Sequence, residues 1–260
     1  MKKFVALLLA VLMVASLCAC GQKDTGSDLQ TVTKGKLIMS TNAEFAPYEY
    51  VADDGKGFQG TGYEGIDIEI AYALAQKLWL ELGGDNMDFD AARSAVQTGK
   101  SDMVAAGVTV TPDRLNAMSF TDSYANGVQV VIVKEGSDIK SIDDLQGKKI
   151  GTQRGTTGFL YCSDDFGDDN VIGFDDGATA VQNLKAGKID CVVIDNVPAQ
   201  EYVKVNPGLT ILDTEYANED YAIGIAKDNT ALQEALNKAL AELKADGTIQ
   251  SIIDKYIPAK

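Results

Sequence analysis

From Lys36 onward, short apolar segments of strand length alternate with longer segments of helical periodicity. Lys36–Thr41, Val128–Val133 and Cys191–Ile194 have the length and the apolar content of buried strands. Between such segments lie stretches like Gly65–Leu82, whose apolar residues recur at helical spacing and which we expect to end at Gly83-Gly84. This alternation predicts an α/β fold.

The start of the chain has the pattern of a secretory leader. Lys2 and Lys3 precede the apolar run Phe4–Ala15, which is too short to span a bilayer as a stable helix. The sequence Leu17-Cys18-Ala19-Cys20 then resembles the bacterial lipobox, in which a small residue precedes an obligatory cysteine. We expect residues 1–19 to be a signal peptide, Cys20 to carry a lipid such as palmitate, and residues 20–35 to form a flexible tether. A plain signal-peptidase site near Ala19 is the alternative.

The charge of the chain excludes several classes of function. The formal net charge is −15, and loss of Lys2 and Lys3 with the leader makes it −17. A nucleic-acid partner is not expected, because phosphates require a basic face, and a membrane is expected to be reached only through the lipid. The chain has no histidine, which removes His-based triads and His-containing zinc sites, so we expect no metal and no cofactor.

Two cysteines remain after the predicted cleavage site, Cys162 and Cys191, and they form no CxxC pair. They could form one disulfide in an oxidising exterior. Two buried free thiols are favoured, since a free cysteine behaves as a small apolar side chain.

Three segments place polar groups just after predicted strands. The first, 105–114, contains Gly107, Thr109 and Arg114; an arginine fork suits a carboxylate, although a surface arginine is the simpler alternative. The second, 151–158, is a strand, a Gly-rich turn and a helix start, a pattern that suits an anion but also fits many α/β turns. In the third, 192–196, Asp195 follows a buried strand, where it could meet a ligand or cap a helix.

Together with Gly65-Ile66-Asp67-Ile68-Glu69 and Asp246-Gly247-Thr248-Ile249, these segments resemble the polar amino-acid substrate-binding proteins of ABC importers, from about residue 36 to residue 257. The resemblance implies a two-lobed, type II periplasmic-binding-protein-like fold with two hinge strands and a ligand cleft between the lobes. Lobe 1 would comprise residues 36–126 and 224–260, and lobe 2 residues 127–223.

The resemblance also implies roles for individual residues. Arg114 would bind the α-carboxylate of an amino acid, helped by the amides of Thr109 and Thr156. Asp195 would bind the α-ammonium, helped by the Gly107 carbonyl and the Thr109 hydroxyl. The complete set of expected ligand-binding residues is Asn42, Phe45, Phe89, Gly107, Thr109, Arg114, Thr156 and Asp195.

Phe45 and Phe89 would sandwich the ligand side chain, although ordinary core packing is the simpler expectation for either one alone. Asn42 stands where members that bind cationic ligands often carry aspartate. An amide can donate and accept at once, so Asn42 favours a polar neutral ligand, while Glu44 leaves a basic one open.

The expected function is therefore capture of a free polar L-amino acid at the outer face of the cell membrane. The expected partners are an ABC permease and its ATPase, and a monomer is expected. An alternative on the same fold is an enzyme resembling cyclohexadienyl dehydratases, but no second feature favours catalysis. A sensor domain is less favoured, because neither a membrane helix nor a kinase module follows the fold before Lys260.

Overall fold

The computed structural model describes residues 29–258. The predicted leader and the lipid site at Cys20 lie outside these residues. The strands are β1 (Lys36–Thr41), β2 (Glu44–Phe45), β3 (Glu49–Val51), β4 (Tyr63–Glu64), β5 (Glu81–Asn86), β6 (Met103–Val104), β7 (Met118–Phe120), β8 (Ala125–Lys134), β9 (Ile150–Gln153), β10 (Val171–Phe174), β11 (Cys191–Asp195), β12 (Leu209–Ile211), β13 (Ala217–Tyr221) and β14 (Gly224–Ala226). The α-helices are α1 (Ile66–Lys77), α2 (Phe89–Gln97), α3 (Pro112–Ala117), α4 (Thr157–Phe166), α5 (Gly177–Lys185), α6 (Asn196–Val205), α7 (Thr230–Ala245) and α8 (Thr248–Tyr256).

The first sheet has the strand order β5-β1-β6-β14-β7 and is covered on both faces. Leu37 and Met39 of β1 pack into a core that also contains apolar residues of α1, α7 and α8. Ser40, which points to the other face, donates a hydrogen bond to the carbonyl of Ala92 in α2. Because β1 is a parallel strand between two layers of helices, its residues from Met39 to Thr41 are buried on both faces, the polar Ser40 and Thr41 included.

The second sheet has the order β10-β9-β11-β8-β12, and β13 pairs with the first half of β8. Alternate residues of β8 enter different cores, as their period of two requires. Val130 and Ile132 pack with the helices α5 and α6, whereas Val131 and Val133 pack against the α4 side. β11 is likewise buried along its whole length. A small third sheet, β2-β3-β4, lies beside α1.

The chain passes between the two sheets twice, and the two crossings lie side by side. Residues 121–124 lead from β7 to β8, and residues 222–223 lead back from β13 to β14. Thr121 and Tyr124 donate backbone hydrogen bonds to Ile223 and Tyr221. The type II binding-protein fold with two crossings is confirmed. The first crossing precedes β8, whereas the apolar run Val128–Val133, which we expected to cross, lies inside the second sheet, paired with β11. The exact division into lobes, after residues 126 and 223, stays a prediction.

One strand departs from the sequence-based expectation. The helix expected to reach Leu82 ends at Lys77, and the Gly83-Gly84 segment lies in the edge strand β5, paired in parallel with β1. A polar, glycine-rich strand gives no periodic signal, because its stability comes from the hydrogen bonds of its neighbour. Glycine also fits there sterically: a Cβ on Gly83 would lie 2.8 Å from Ile38 Cδ1.

Cys162 and Cys191 are buried free thiols, which confirms the favoured expectation. In the part of the chain that the structure covers, no helix combines the length and the apolar character needed to cross a membrane.

Candidate ligand site between the two sheets

A cavity lies between the two sheets, with about 460 Å³ of atom-free space when its open mouth is included. The eight predicted ligand-binding residues all line it, although they come from five separate parts of the sequence. They reach it because strands of both sheets end there and their following loops meet. The complete lining is Asn42, Phe45, Glu49, Phe89, Ala106, Gly107, Thr109, Arg114, Gln129, Gln153, Thr156, Thr157, Val193, Ile194, Asp195 and Tyr221. Their contacts with a ligand stay predictions.

Arg114 lies in the first turn of α3. The Thr111 hydroxyl caps this helix by accepting the Arg114 backbone N–H at 3.2 Å, and Pro112 occupies the first helical position. The guanidinium is 5% exposed. Its Nη1 donates to the Thr109 carbonyl at 2.9 Å, and its Nη2 donates across the cavity to the Gly155 carbonyl at 3.2 Å.

The buried charge of Arg114 has no acidic partner within 4.0 Å among residues 29–258. Its Nε is buried and makes no hydrogen bond with any described residue. Burial, and then the neighbouring positive charge of Arg93, lowers the pKa of Arg114 to about 10, so the group is still a cation at neutral pH. A desolvated guanidinium with an unused donor is suited to a ligand carboxylate.

Asp195 ends β11 and is 1% exposed. One carboxylate oxygen caps α6 by accepting the Val197 N–H at 3.0 Å. The other accepts the Val128 N–H at 3.0 Å and the Tyr221 hydroxyl at 2.9 Å. The sequence left open whether Asp195 caps a helix or faces a ligand. In the structure it caps α6 and also lines the cavity.

Asp195, in turn, has no lysine or arginine within salt-bridge distance in the described part of the chain. Burial raises its pKa to about 6, although the bonds from Val197, Tyr221 and Val128 favour the ionised form. At neutral pH the cavity thus holds one cation and one anion that are each without a protein counter-ion. They come from different sheets.

Two aromatic rings form part of the wall. Phe89 is 7% exposed, and the guanidinium carbons of Arg93 and Arg114 lie 5.0 and 5.5 Å from its ring centroid. Phe45 is half-buried and stacks on Tyr48 at 5.6 Å. Phe45 also lies close to Gly107, whose φ of 53° and tight surroundings exclude a side chain: a Cβ there would lie 3.0 Å from Phe45 Cε1.

Thr109 and Thr156 differ in how many of their polar groups already form hydrogen bonds within the protein. The Thr109 hydroxyl donates to Glu219 at 3.1 Å, which leaves its lone pairs for a ligand donor. The Thr156 hydroxyl caps α4, and its backbone N–H lies 3.4 Å from the Gln153 carbonyl, so this amide is partly engaged. Thr157, the first residue of the helix, also lines the cavity.

Asn42 links the two sheets. Its Oδ1 accepts from Gln153 Nε2 at 2.8 Å, and its Nδ2 donates to the Met87 carbonyl at 3.1 Å. Gln153 also donates to the Asp175 carbonyl at 3.2 Å. Both polar atoms of Asn42 are therefore bonded to protein in this conformation, which weakens the argument for a neutral ligand that rested on this amide.

Glu49 is the most unexpected residue of the wall. It lies in β3 with no exposed surface, and neither carboxyl oxygen is bonded by an N–H or O–H donor of the described residues. No sequence signal pointed to it, because its burial follows from the folding of β3 against α1. Gln153 and Thr157, by contrast, lie within the strand–turn–helix segment 151–158 and could have been included on that basis.

Comparisons with known proteins agree on one family. The sequence profile of the bacterial extracellular solute-binding proteins, family 3, matches residues 37–259. The chain is 32% identical to the arginine-binding extracellular protein ArtP of Bacillus subtilis over 98% of both chains. It is 33% identical to a probable histidine-binding protein of Neisseria gonorrhoeae, over 98% of this chain and 96% of that protein.

Solved structures give the same answer. An ancestral arginine-binding protein bound to glutamine is 39% identical, with a TM-score of 0.80 over 87% of this chain and 100% of that chain. The same kind of protein bound to arginine is 40% identical, with a TM-score of 0.79 over 86% and 99%. The chain belongs to the bacterial extracellular solute-binding proteins, family 3.

Proposed function

We propose that this protein captures a free L-amino acid outside the cytoplasm and delivers it to an ABC importer without converting it chemically. One observation carries the proposal: Arg114 and Asp195 line the same cavity with opposite charges, and neither forms an ion pair with any residue of 29–258. An α-amino acid offers a carboxylate to the first and an ammonium to the second. The names of the relatives, which are binding proteins, support capture over catalysis.

The preferred ligand is an amino acid with a long polar side chain, and arginine is the first candidate. Several relatives are arginine-binding proteins, and the similar ancestral protein has been solved with arginine and with glutamine. The cavity supports this choice, because Glu49 adds an acidic group and the Phe45 and Phe89 rings offer faces to a planar guanidinium. The amide of Asn42, which favoured a neutral ligand, is occupied by Gln153.

Calorimetric titration with arginine and two truncated analogues tests whether Arg114 and Asp195 bind the α-carboxylate and the α-ammonium. Agmatine lacks the α-carboxylate, and 5-guanidinovaleric acid lacks the α-ammonium. Each loss leaves one buried charge unpaired, so each analogue is expected to bind at least a hundredfold more weakly than arginine. Lysine, histidine, glutamine and cystine complete the panel. Agmatine binding as tightly as arginine would refute the assignment of Arg114.

We also propose that Cys20 carries the lipid that holds the protein at the outer face of the membrane. The support is the lipobox-like Leu17-Cys18-Ala19-Cys20 sequence. Cys20→Ser is expected to abolish fatty-acid labelling and to release the protein from the membrane fraction, whereas Cys18→Ser should leave both unchanged. Labelling that survives in Cys20→Ser would contradict the proposal.

The partner is an ABC permease with its ATPase, and the form it accepts is the closed, loaded monomer. A ligand held by Arg114 of one sheet and Asp195 of the other binds the closed form better than the open one, and only this difference can shift the equilibrium. Small-angle scattering should show a smaller radius of gyration on saturation with ligand. An unchanged radius of gyration would contradict the proposal that the permease recognises the closed form.

A further inference from the structure

The carboxyl group of Glu49 is held in an unusual state. It lies in the cavity wall with 0% exposure, opposite Phe45 in the β2–β3 pair. Neither oxygen accepts a hydrogen bond from an N–H or O–H group of residues 29–258. An ionised carboxylate without donors and without water is very costly to bury, so this position favours the neutral acid.

The neighbour of Glu49 strengthens this conclusion. Asp67, in the first turn of α1, is 1% exposed, and its negative charge acts on the Glu49 carboxyl group. Asp67 already has donors: the Gly107 N–H lies 2.9 Å from one oxygen, and the Tyr124 hydroxyl lies 2.7 Å from both. Two neighbouring buried carboxyl groups resist ionising together, and Glu49, the one without donors among the described residues, is the group that favours the neutral form.

No lysine or arginine of residues 29–258 forms an ion pair with Glu49 or Asp67. Tyr48 and Tyr124 are buried phenols beside it, and Asp195 acts on Tyr48 from the other sheet. On the neighbouring elements, Glu64 accepts from Tyr50, and Glu69 is bonded to Lys255. Burial, and then the charge of Asp67, raises the pKa of Glu49 well above its ordinary value, and burial raises that of Asp67 to about 6.

We propose that Glu49 is protonated in the empty cavity and gives up this proton when the cationic side chain of an amino acid enters. The Glu49 O–H bond breaks, the proton leaves to the solvent, and the carboxylate pairs with the incoming guanidinium or ammonium. A neutral side chain is bound with the proton still in place, and Glu49 then donates a hydrogen bond to it. Capture of a basic amino acid is thus coupled to proton release, and this coupling rests on the proposed amino-acid binding.

The coupling makes selectivity depend on pH. A cationic ligand that displaces one proton binds about tenfold more tightly for each unit of rising pH, as long as the empty site is still protonated. A neutral ligand of the same shape shows no such slope. Arginine and citrulline form this matched pair, because citrulline replaces the guanidinium by a neutral urea group.

Calorimetric titration at pH 7 in two buffers of different ionisation enthalpy measures the protons released. At this pH Asp195, with a pKa of about 6, is already mainly ionised and contributes little. Arginine is expected to release close to one proton and citrulline close to none. In Glu49→Gln, arginine should release none and bind at least tenfold more weakly, and the loss of affinity for citrulline should be smaller than the loss for arginine.

The outcomes separate the two proposals. Arginine binding to the wild-type protein without proton release overturns the coupling and leaves the amino-acid site standing. Equal proton release with citrulline also overturns it, because the α-ammonium would then be the trigger. If neither ligand binds, the amino-acid site fails and the coupling fails with it. The wild-type measurement decides the matter even if Glu49→Gln does not fold.

Discussion

Arg114 and Asp195 line one cavity and are equally buried, yet the protein satisfies them to different degrees. The Asp195 carboxylate accepts three hydrogen bonds, two of them from backbone N–H groups, and caps α6. Arg114 donates to two carbonyl oxygens, and its Nε makes no bond within residues 29–258. The anion is therefore part of the folded framework, whereas the cation is held ready for an outside partner. The two residues should respond differently to substitution.

The largest effect is expected for Arg114→Ala. The ligand carboxylate would be buried without its cation, at a cost of about 2–5 kcal/mol, which weakens binding by a hundredfold or more. The melting temperature of the empty protein should hardly change, because a poorly satisfied buried charge disappears as well. Arg154→Ala is the matched control: Arg154 lies in the loop across the cavity, directly before Gly155, whose carbonyl accepts from Arg114, and its side chain is 59% exposed. A large loss of binding in Arg154→Ala would show that the loop, rather than the buried cation, matters.

Asp195→Ala should weaken binding by about a hundredfold as well, through the unpaired ligand ammonium. Unlike Arg114→Ala, it should also lower the melting temperature by several degrees, because the N–H groups of Val128 and Val197 and the Tyr221 hydroxyl lose their acceptor. Thermal unfolding of both variants without ligand measures this difference. Equal melting temperatures would contradict the conclusion that Asp195 stabilises the empty protein whereas Arg114 does not.

The pH dependence separates the two charges again. Citrulline binds without displacing the Glu49 proton, so the pH dependence of its binding reports on Asp195. Its affinity should fall up to tenfold for each pH unit below about 6, where Asp195 takes up a proton. On the alkaline side Arg114 should keep its charge until about pH 10.

The stability of the empty protein should show the opposite trend. The pKa of Asp195 is raised above its value in an unfolded chain. Its contribution to the free energy of unfolding is therefore complete below the unfolded pKa and is lost as pH rises through about 6. Asp195→Asn should flatten the citrulline-binding profile between pH 4 and 7, a range set by the ordinary pKa of aspartate and the raised one. In the stability profile the slope should become smaller but persist, because the pKa of Asp67 is also raised to about 6. A wild-type slope in this variant would assign the titration to another group.

A smaller effect, about tenfold, is expected for Gly155→Ala, which tests whether Arg114 needs the second sheet. The Gly155 carbonyl accepts from Arg93 at 3.3 Å and from Arg114 at 3.2 Å, and an added Cβ would collide with the Asp90 carboxylate. Part of the loss is the strain of alanine at a φ of 75°, of order 1 kcal/mol.

Gly136→Ala is the control for Gly155→Ala, since Gly136 has a φ of 77° and no atom within 4 Å of its would-be Cβ. Only Gly155→Ala should lose affinity; both should lose similar stability. Ligand titration and thermal unfolding of the two variants separate the effect of the collision with Asp90 from the effect of backbone strain. Equal affinities in the two variants would show that Gly155 has no role in closing the cavity.

The smallest effect, about threefold, is expected for Asn42→Ala. If Asn42 serves mainly to join the sheets through Gln153, arginine, citrulline and glutamine should all lose affinity by the same factor. Titration with the three ligands measures it. A loss that depends on the side chain would restore Asn42 as a direct determinant of specificity.

Much of the architecture followed from the sequence. The continuous apolar runs of β8 and β11 and the period of 3.6 in α1 are local consequences of which residues must face a core, so they can be predicted without tertiary contacts. β5 could not be predicted, because a Gly-Gly edge strand has no pattern of its own and depends on pairing with β1.

The site divides in the same way. The sequence determined which chemical groups stand at the ends of the strands, and through the family resemblance it named eight residues that the structure brings to one cavity. Only the tertiary structure decided which of their atoms are free: Arg114 Nε is unused, whereas Asn42 is bonded to Gln153. Only the tertiary structure, too, buried Glu49 beside Asp67. A side chain's identity is local, but its desolvation and its hydrogen-bond partners depend on residues far away in the sequence.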